Sequence, residues 1–154
     1  MVRVIPFQTK YAEDFKSINL EWLEEYIGVE EADYSILNDP ERNIIQKGGL
    51  ILLALDENEL VGTICLEKTI GKTMITKLGV KKSHRGRGIG KQLCLAVLKE
   101  AQKRDLREVW LETSQKLQTA IQLYQKLGFE DMNTASRSSR CDVLMRLRLK
   151  PSIN

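Results

Sequence analysis

Apolar positions along this chain change their spacing several times, and each change marks an element. Val2 to Pro6 is a short apolar run that reads as a first strand. From Tyr11 the apolar residues recur at helical spacing through Phe15, Ile18, Leu20, Trp22, Leu23 and Tyr26, which predicts a helix over Ala12–Glu25. Thr9 is placed to cap it. A second, short helix is predicted over Glu30–Leu37. Asn38-Asp39-Pro40 closes it, because a proline pushes the preceding residue out of the helical region. After the turn Lys47-Gly48-Gly49, the apolar runs Leu50–Leu55 and Leu60–Glu67 flank a polar turn and read as a hairpin. A further strand starts at Gly71-Lys72 and ends at Val80.

The clearest helix follows, over Ile89–Arg104. Ile89, Leu93, Val97 and Ala101 form one stripe, widened by Cys94 and Leu98, while Lys91, Gln92, Lys99, Lys103 and Arg104 face water. Glu108–Glu112 reads as a strand, and Gln115–Leu127 as a helix that Gly128 terminates. Phe129-Glu130 opens another strand. The polar stretch Asn133 to Arg140 leads to the last one, Asp142–Leu149, whose late alternation predicts one buried and one solvated face. The order is β-α-α-β-β-β-α-β-α-β-β, with a parallel strand–helix–strand unit at its centre. No repeat, low-complexity tract or linker interrupts it, so the fold class is α/β and residues 1–154 form one domain.

Composition changes this picture little. A chain of 154 residues with 42% hydrophobic and 29% charged residues has ordinary globular usage and folds without a disulfide or metal. Cys65, Cys94 and Cys141 form no Cys-x-x-Cys pair and read as free thiols in a reducing compartment. One histidine and scattered cysteines make no metal site. The N-terminus has no signal-peptide pattern, and no apolar run is long enough to span a membrane, which predicts a soluble, cytoplasmic protein. The net charge of +3 is too mild to argue for nucleic acid. Its distribution says more: cations gather at Lys81 to Lys91, and carboxylates at Glu21 to Glu41, which suits an anionic cofactor and a cationic acceptor.

The candidate chemistry begins where strand meets helix, at Val80-Lys81-Lys82-Ser83-His84-Arg85-Gly86-Arg87-Gly88-Ile89-Gly90-Lys91. The first amides of a helix have no intrahelical partner, and the helix dipole favours an anion there. Arg85, Arg87 and Lys91 add formal charge. Gly86, Gly88 and Gly90 allow a tight turn and a close approach of ligand to backbone. A Walker A loop is excluded, because Arg85 stands where its first glycine belongs and Gln92 where its hydroxyl belongs. The dinucleotide fingerprint fails too, since the spacing is G-x-G-x-G. Arg85-x-x-Gly88-x-Gly90 instead resembles the acetyl-coenzyme A diphosphate loop of the Gcn5-related N-acetyltransferase (GNAT) superfamily, Gln/Arg-x-x-Gly-x-Gly/Ala. The later stretch Ala120-x-x-Leu123-Tyr124-x-Lys126-x-Gly128-Phe129 resembles that superfamily's second signature, in the correct order.

The resemblance covers nearly the whole chain. It implies a mixed, mostly antiparallel sheet flanked by helices, with a splayed parallel strand pair. It implies acyl transfer from acetyl-coenzyme A to an amine, by direct attack on the thioester. Arg85, Gly86, Arg87, Gly88, Ile89, Gly90 and Lys91 would hold the diphosphate. Leu78, Gly79 and Val80 would line the thioester arm on one side, and Glu112 and Thr113 on the other, with Ala120 and Tyr124 above it. An amide near Val80 would polarise the acyl carbonyl, and Gly79 suits a bulge or close approach there. Tyr124 would protonate the departing thiolate; a phenol stays protonated at neutral pH. Spacing alone favours a core tyrosine on the Ala120–Tyr124–Leu127 face; the resemblance reverses that reading. Relatives carry a glutamate early on the fourth strand, where this chain has Met74. The base is then a water chain, Glu67 or Glu30. His84 reads as a loop residue near the phosphates.

The acceptor surface implied by the family is built by Trp22 to Leu37 and by Asn133 to Cys141. Trp22, Tyr26 and Tyr34 would supply an apolar wall, and Glu25, Glu30 or Asp33 would hold an ammonium. Arg137 and Arg140 leave room for a substrate carboxylate. The acceptor is a primary amine on a small molecule or peptide. The resemblance allows a homodimer, with no interface fixed by the chain. A non-catalytic module that senses acetyl-coenzyme A is the competing class. A small nucleic-acid-binding protein is a third, disfavoured by the modest charge.

Overall fold

The computed structural model describes residues 1–133 and 140–151. Seven strands form one sheet in the order β1-β2-β3-β4-β5-β7-β6. The strands are β1 (Val2–Pro6), β2 (Leu50–Asp56), β3 (Glu59–Thr69), β4 (Lys72–Val80), β5 (Glu108–Thr113), β6 (Glu130–Asp131) and β7 (Val143–Arg148). Every neighbouring pair is antiparallel except β4 and β5, which run parallel. The helices are α1 (Ala12–Tyr26), α2 (Glu31–Leu37), α3 (Ile89–Lys103) and α4 (Gln118–Lys126).

Alternation along β2 and β3 divides the interior between two faces. Leu52, Ala54, Val61, Ile64 and Leu66 join α3 and α4 residues such as Leu93, Val97, Ile121 and Tyr124 in one core. Ile51, Leu53, Leu55, Leu60 and Cys65 face the other way, onto Phe15 and Ile18 of α1 and Leu37 of α2. Burying a leucine or isoleucine in either layer contributes about 1.5–3 kcal/mol. All three cysteines are free thiols.

The predicted order of elements stands, with local departures. Thr9 does not cap α1. It opens a short 3-10 turn, Thr9–Tyr11, and its hydroxyl donates to Glu41 Oε1 at 3.0 Å, while Tyr11 is the cap residue. After Pro40 the chain does not uncoil but makes one wide turn, Glu41–Ile45. A proline at a turn's start gives up no needed N–H, so the chain tolerates it there. The helix predicted from Gln115 starts at Gln118, because Leu117 N donates to Ser114 O at 2.8 Å and Gln115 N to Asp142 Oδ1 at 2.9 Å. Its end follows the prediction. Gly128 has φ +102°, Phe129 N donates to Tyr124 O and Gly128 N to Gln125 O, the two bonds of a Schellman cap.

Candidate active site

The site lies where β4 and β5 part. They pair at one position, Met74 opposite Trp110, and beyond it the strands diverge. Leu78, Gly79 and Val80 line one edge of the opening, and Glu112 and Thr113 lie beyond Trp110 on the strand forming the other. Trp22 of α1 covers Gly79: a Cβ built on that glycine would lie 3.7 Å from Trp22 Cβ.

A bulge in β4 shapes this edge. Cys65 faces Thr76 and Thr63 faces Gly79, so Ile64 alone opposes both Lys77 and Leu78. Thr76 and Lys77 consequently send their side chains to the same face, where both meet Glu67. The Thr76 hydroxyl bonds its carboxylate, and Lys77 Nζ lies 2.6 Å from Oε2. Lys77 itself takes φ +55°, a left-handed conformation that costs a residue with a Cβ about 1–2 kcal/mol. A buried polar chain holds it there. Asn19 Nδ2 donates to Phe15 O at 2.9 Å and to Thr63 Oγ1 at 3.3 Å, and Thr63 Oγ1 donates to Lys77 O at 2.8 Å.

Past Val80 the chain makes a 3-10 turn, Lys82–His84, and then the glycine turn. Gly86 and Gly88 have φ +80° and +79°, and Gly88 is the N-cap of α3. No side chain caps this helix and no acid stands in its first turn, so its leading amides are free to receive an anion. A Cβ on Gly86 or Gly88 would point into open space. Arg87 and Lys91 are exposed. Arg85 turns elsewhere. Its Nη1 donates to both oxygens of Glu25, at 2.8 and 2.7 Å, and to the Tyr26 hydroxyl at 2.9 Å, while Nε donates to Val80 O at 3.0 Å. The guanidinium keeps the Glu25 carboxyl below the usual carboxylate range. It thus ties the end of β4 to the C-terminal turn of α1.

His84 ends the 3-10 turn that precedes the glycine turn. It is buried, with Nδ1 2.7 Å from Ser83 Oγ and Nε2 3.0 Å from Asp56 Oδ2, and so anchors the turn to the end of β2. Sequence separation hid this pairing.

Tyr124 has its ring in the α3–α4 core, with centroids 5.8 Å from Phe129 in an edge-on contact. Ala120 lies one turn earlier on α4 and is half-buried. Among the described residues the Tyr124 hydroxyl has no hydrogen-bond partner. It is also not one of the enclosed polar atoms left without one, so the residue's 7% exposure includes that oxygen. Burial pushes the phenol's pKa up, aided by the Cys94 thiol, so it remains a proton donor across the neutral and mildly alkaline range.

On the α2 side the expected acceptor carboxylates are already engaged. Arg140 donates to Asp33 Oδ2 at 2.8 Å and Oδ1 at 3.2 Å, and its Nε lies 2.9 Å from Glu30 Oε1. Burial raises the Asp33 pKa, but the Arg140 bonds and the Glu30 amide outweigh it and leave the carboxyl below its ordinary value. Tyr26 is 38% exposed beside Trp22, with ring centroids 5.4 Å apart. Arg137 lies outside the described residues. The pattern had flagged neither Asn19, Thr63 nor Lys77. Asn19 alone left a trace, as an amide four residues after Phe15 on the buried side of α1.

The model of the acetyltransferase (GNAT) family matches residues 14–129. N-alpha-acetyltransferase 30 of Schizosaccharomyces pombe is 27% identical over 134 residues, 84% of each chain. The uncharacterized N-acetyltransferase YvbK of Bacillus subtilis is 33% identical over 101 residues, 63% of this chain and 65% of that one. Among solved structures, a GNAT-family acetyltransferase from Staphylococcus aureus superposes with a TM-score of 0.85 at 22% identity, covering 97% of this chain and all of that one. The PaiA N-acetyltransferase of Thermoplasma acidophilum, in complex with coenzyme A, superposes with a TM-score of 0.76 at 20% identity, covering 97% and 99%.

Proposed function

The chain belongs to the acetyltransferase (GNAT) family, and we propose that it moves an acetyl group onto the primary amine of a small molecule or peptide by direct attack on the thioester. As a family member it is an acetyl-coenzyme A-dependent N-acetyltransferase. The observation that carries the mechanism is the single pairing of β4 with β5, which leaves backbone edges open at Leu78–Val80. The fit to the cofactor is good. An uncapped helix start with unobstructed glycines suits a diphosphate, and an unpaired strand edge suits an amide-bearing arm.

Bound there, acetyl-coenzyme A supplies an activated acyl carbon, which passes from sulfur to the amine nitrogen as one proton leaves nitrogen and sulfur gains one. The Val80 amide is preorganised to polarise the acyl oxygen. Tyr124 gives its proton toward the sulfur, since its hydroxyl has no hydrogen-bond partner among the described residues. Trp22 and Tyr26 wall the acceptor path. Glu67, hydrogen-bonded by Thr76 and Lys77 beside the opening, receives the amine's proton directly or through water. The S. pombe relative's name specifies an α-amine, so peptide N-termini join small amines in the test. That test follows coenzyme A thiol release against both classes. Release with at least one amine is expected. Saturable acetyl-coenzyme A binding without release to any amine would favour the sensing module.

A further inference from the structure

We propose that Thr63, braced by Asn19, is a positioning residue for acetyl transfer: its hydroxyl holds the β4 bulge in the register that turns the Gly79–Val80 backbone into the β4–β5 opening. The inference rests on the acetyl-transfer reading above.

Three observations converge on it. Thr63 is fully enclosed and Asn19 is 4% exposed, so both polar groups must find partners inside the protein. They find each other and the Lys77 carbonyl, the carbonyl of the one bulge residue in a left-handed conformation. The bulge, Lys77 and Leu78 opposite Ile64, is followed at once by Gly79 and Val80. A valine has nearly the same shape and would suit an enclosed position opposite Leu53. A threonine there is explained by what its oxygen does. It accepts from one helix, donates to the bulge, and links α1, which carries Trp22 over Gly79, to the strand that α1 covers. Removing the hydroxyl leaves the Lys77 carbonyl unheld and lets the bulge relax toward regular pairing. A one-residue slip would reverse which of residues 78–80 faces the opening.

Thr63→Val tests this, with Thr63→Ser as the conservative control. Thr63→Val should lower the single-turnover acetyl-transfer rate roughly 10- to 100-fold, as expected for a small misplacement of reacting groups, while acetyl-coenzyme A affinity changes far less. Thr63→Ser should restore the rate to within about three-fold of wild type. Amide chemical shifts of Leu78, Gly79 and Val80 should move in Thr63→Val and return in Thr63→Ser, without cofactor or acceptor present. Unmoved shifts, or a wild-type transfer rate in Thr63→Val, would overturn the proposal. If Thr63→Val does not fold, Asn19→Ala, which leaves the Thr63 hydroxyl in place but unbraced, should move the same three shifts in part; unmoved shifts there overturn it equally. Wild-type protein that transfers to no amine would refute the functional reading instead, since the shifts report the bulge alone.

Discussion

Replacing Tyr124 by phenylalanine separates two roles that share one ring. The variant removes only an oxygen that has no protein partner among the described residues. The edge-on contact with Phe129, worth about 0.5–1.5 kcal/mol, is kept. Stability should therefore stay within about 1 kcal/mol of wild type, since no bond is broken in the resting enzyme. By contrast, Tyr124→Ala would cost about 3–5 kcal/mol and confound any rate measurement. If the phenol is the general acid, its loss should slow transfer roughly 10²–10⁴-fold, or about 2.7–5.4 kcal/mol of barrier. The assay is single-turnover acetyl transfer at equal cofactor occupancy, because slow product release would mask the chemical step. A rate within two-fold of wild type would remove Tyr124 from the mechanism. Stability against pH gives a second check. Burial raises the phenol's folded pKa above its usual value near 10, so the folded state holds that proton more tightly than the unfolded chain. Its contribution is complete below about pH 10 and is lost as pH rises through the folded value. Urea midpoints of wild type should fall more steeply above pH 10 than those of Tyr124→Phe. The buried Cys65 and Cys94 thiols, whose pKa values burial also raises, titrate in both proteins. Parallel alkaline slopes would refute the buried-phenol account.

Gly88→Val places a β-branched residue at φ +79° and should cost about 1–2 kcal/mol of stability. By calorimetry it should also weaken acetyl-coenzyme A binding more than Lys91→Ala does; the reverse order would make the loop an electrostatic device and not a steric cradle. Gly49→Ala lies outside the site, yet its Cβ would fall 2.3 Å from Leu66 O and 2.9 Å from Ile44 O, so a loss of about 3 kcal/mol or more is expected in urea titration. Arg85→Ala should raise the acceptor KM more than the cofactor Kd, because its guanidinium is committed to Glu25, Tyr26 and Val80 O; a larger loss of cofactor affinity would return Arg85 to the diphosphate.

What the sequence disclosed divides by the range of the interaction behind it. The strand and helix order, the glycine turn and the Gly128 cap depend on periodicity and local backbone preference, and all were legible. The splayed β4–β5 pair was legible only through family resemblance, because an opening has no residue signature. Long-range pairings were silent. Nothing in the motif around Arg85 says that its partner is Glu25, 60 positions earlier. Nothing around Asp33 points to Arg140, 107 positions later. His84 looked like one more basic loop residue until the fold brought Asp56 beside it. A bulge was expected at Gly79 from the resemblance, and its actual place, at Lys77 and Leu78, was hidden for a different reason. Lys77 is an unfavourable choice for a left-handed residue, so propensity argues against the conformation that the Thr63 hydroxyl holds.

These pairings change how the charge pattern bears on specificity. Read along the chain, the carboxylates from Glu21 to Glu41 suggest a surface waiting for a cation. Folded, Asp33 carries two bonds from Arg140, and Glu25 carries two from Arg85. An acceptor ammonium approaching Asp33 would have to displace a guanidinium already fitted to it, exchanging one ion pair for another with little net gain. Glu30 differs, since its side chain is 51% exposed despite its contact with Arg140. Glu67 is engaged too, by the Thr76 hydroxyl and by Lys77 Nζ at 2.6 Å, but it lies beside the β4 bulge and the proposed thioester site. On the proposed reading, selectivity for an amine would rest less on the number of acids near α2 than on the exposed Glu30 and the rings of Trp22 and Tyr26, with Glu67 as the proton acceptor. The attacking nitrogen must in any case arrive neutral, so a site that binds ammonium weakly at its rim and accepts a proton near the thioester suits the chemistry better than a deep anionic trap.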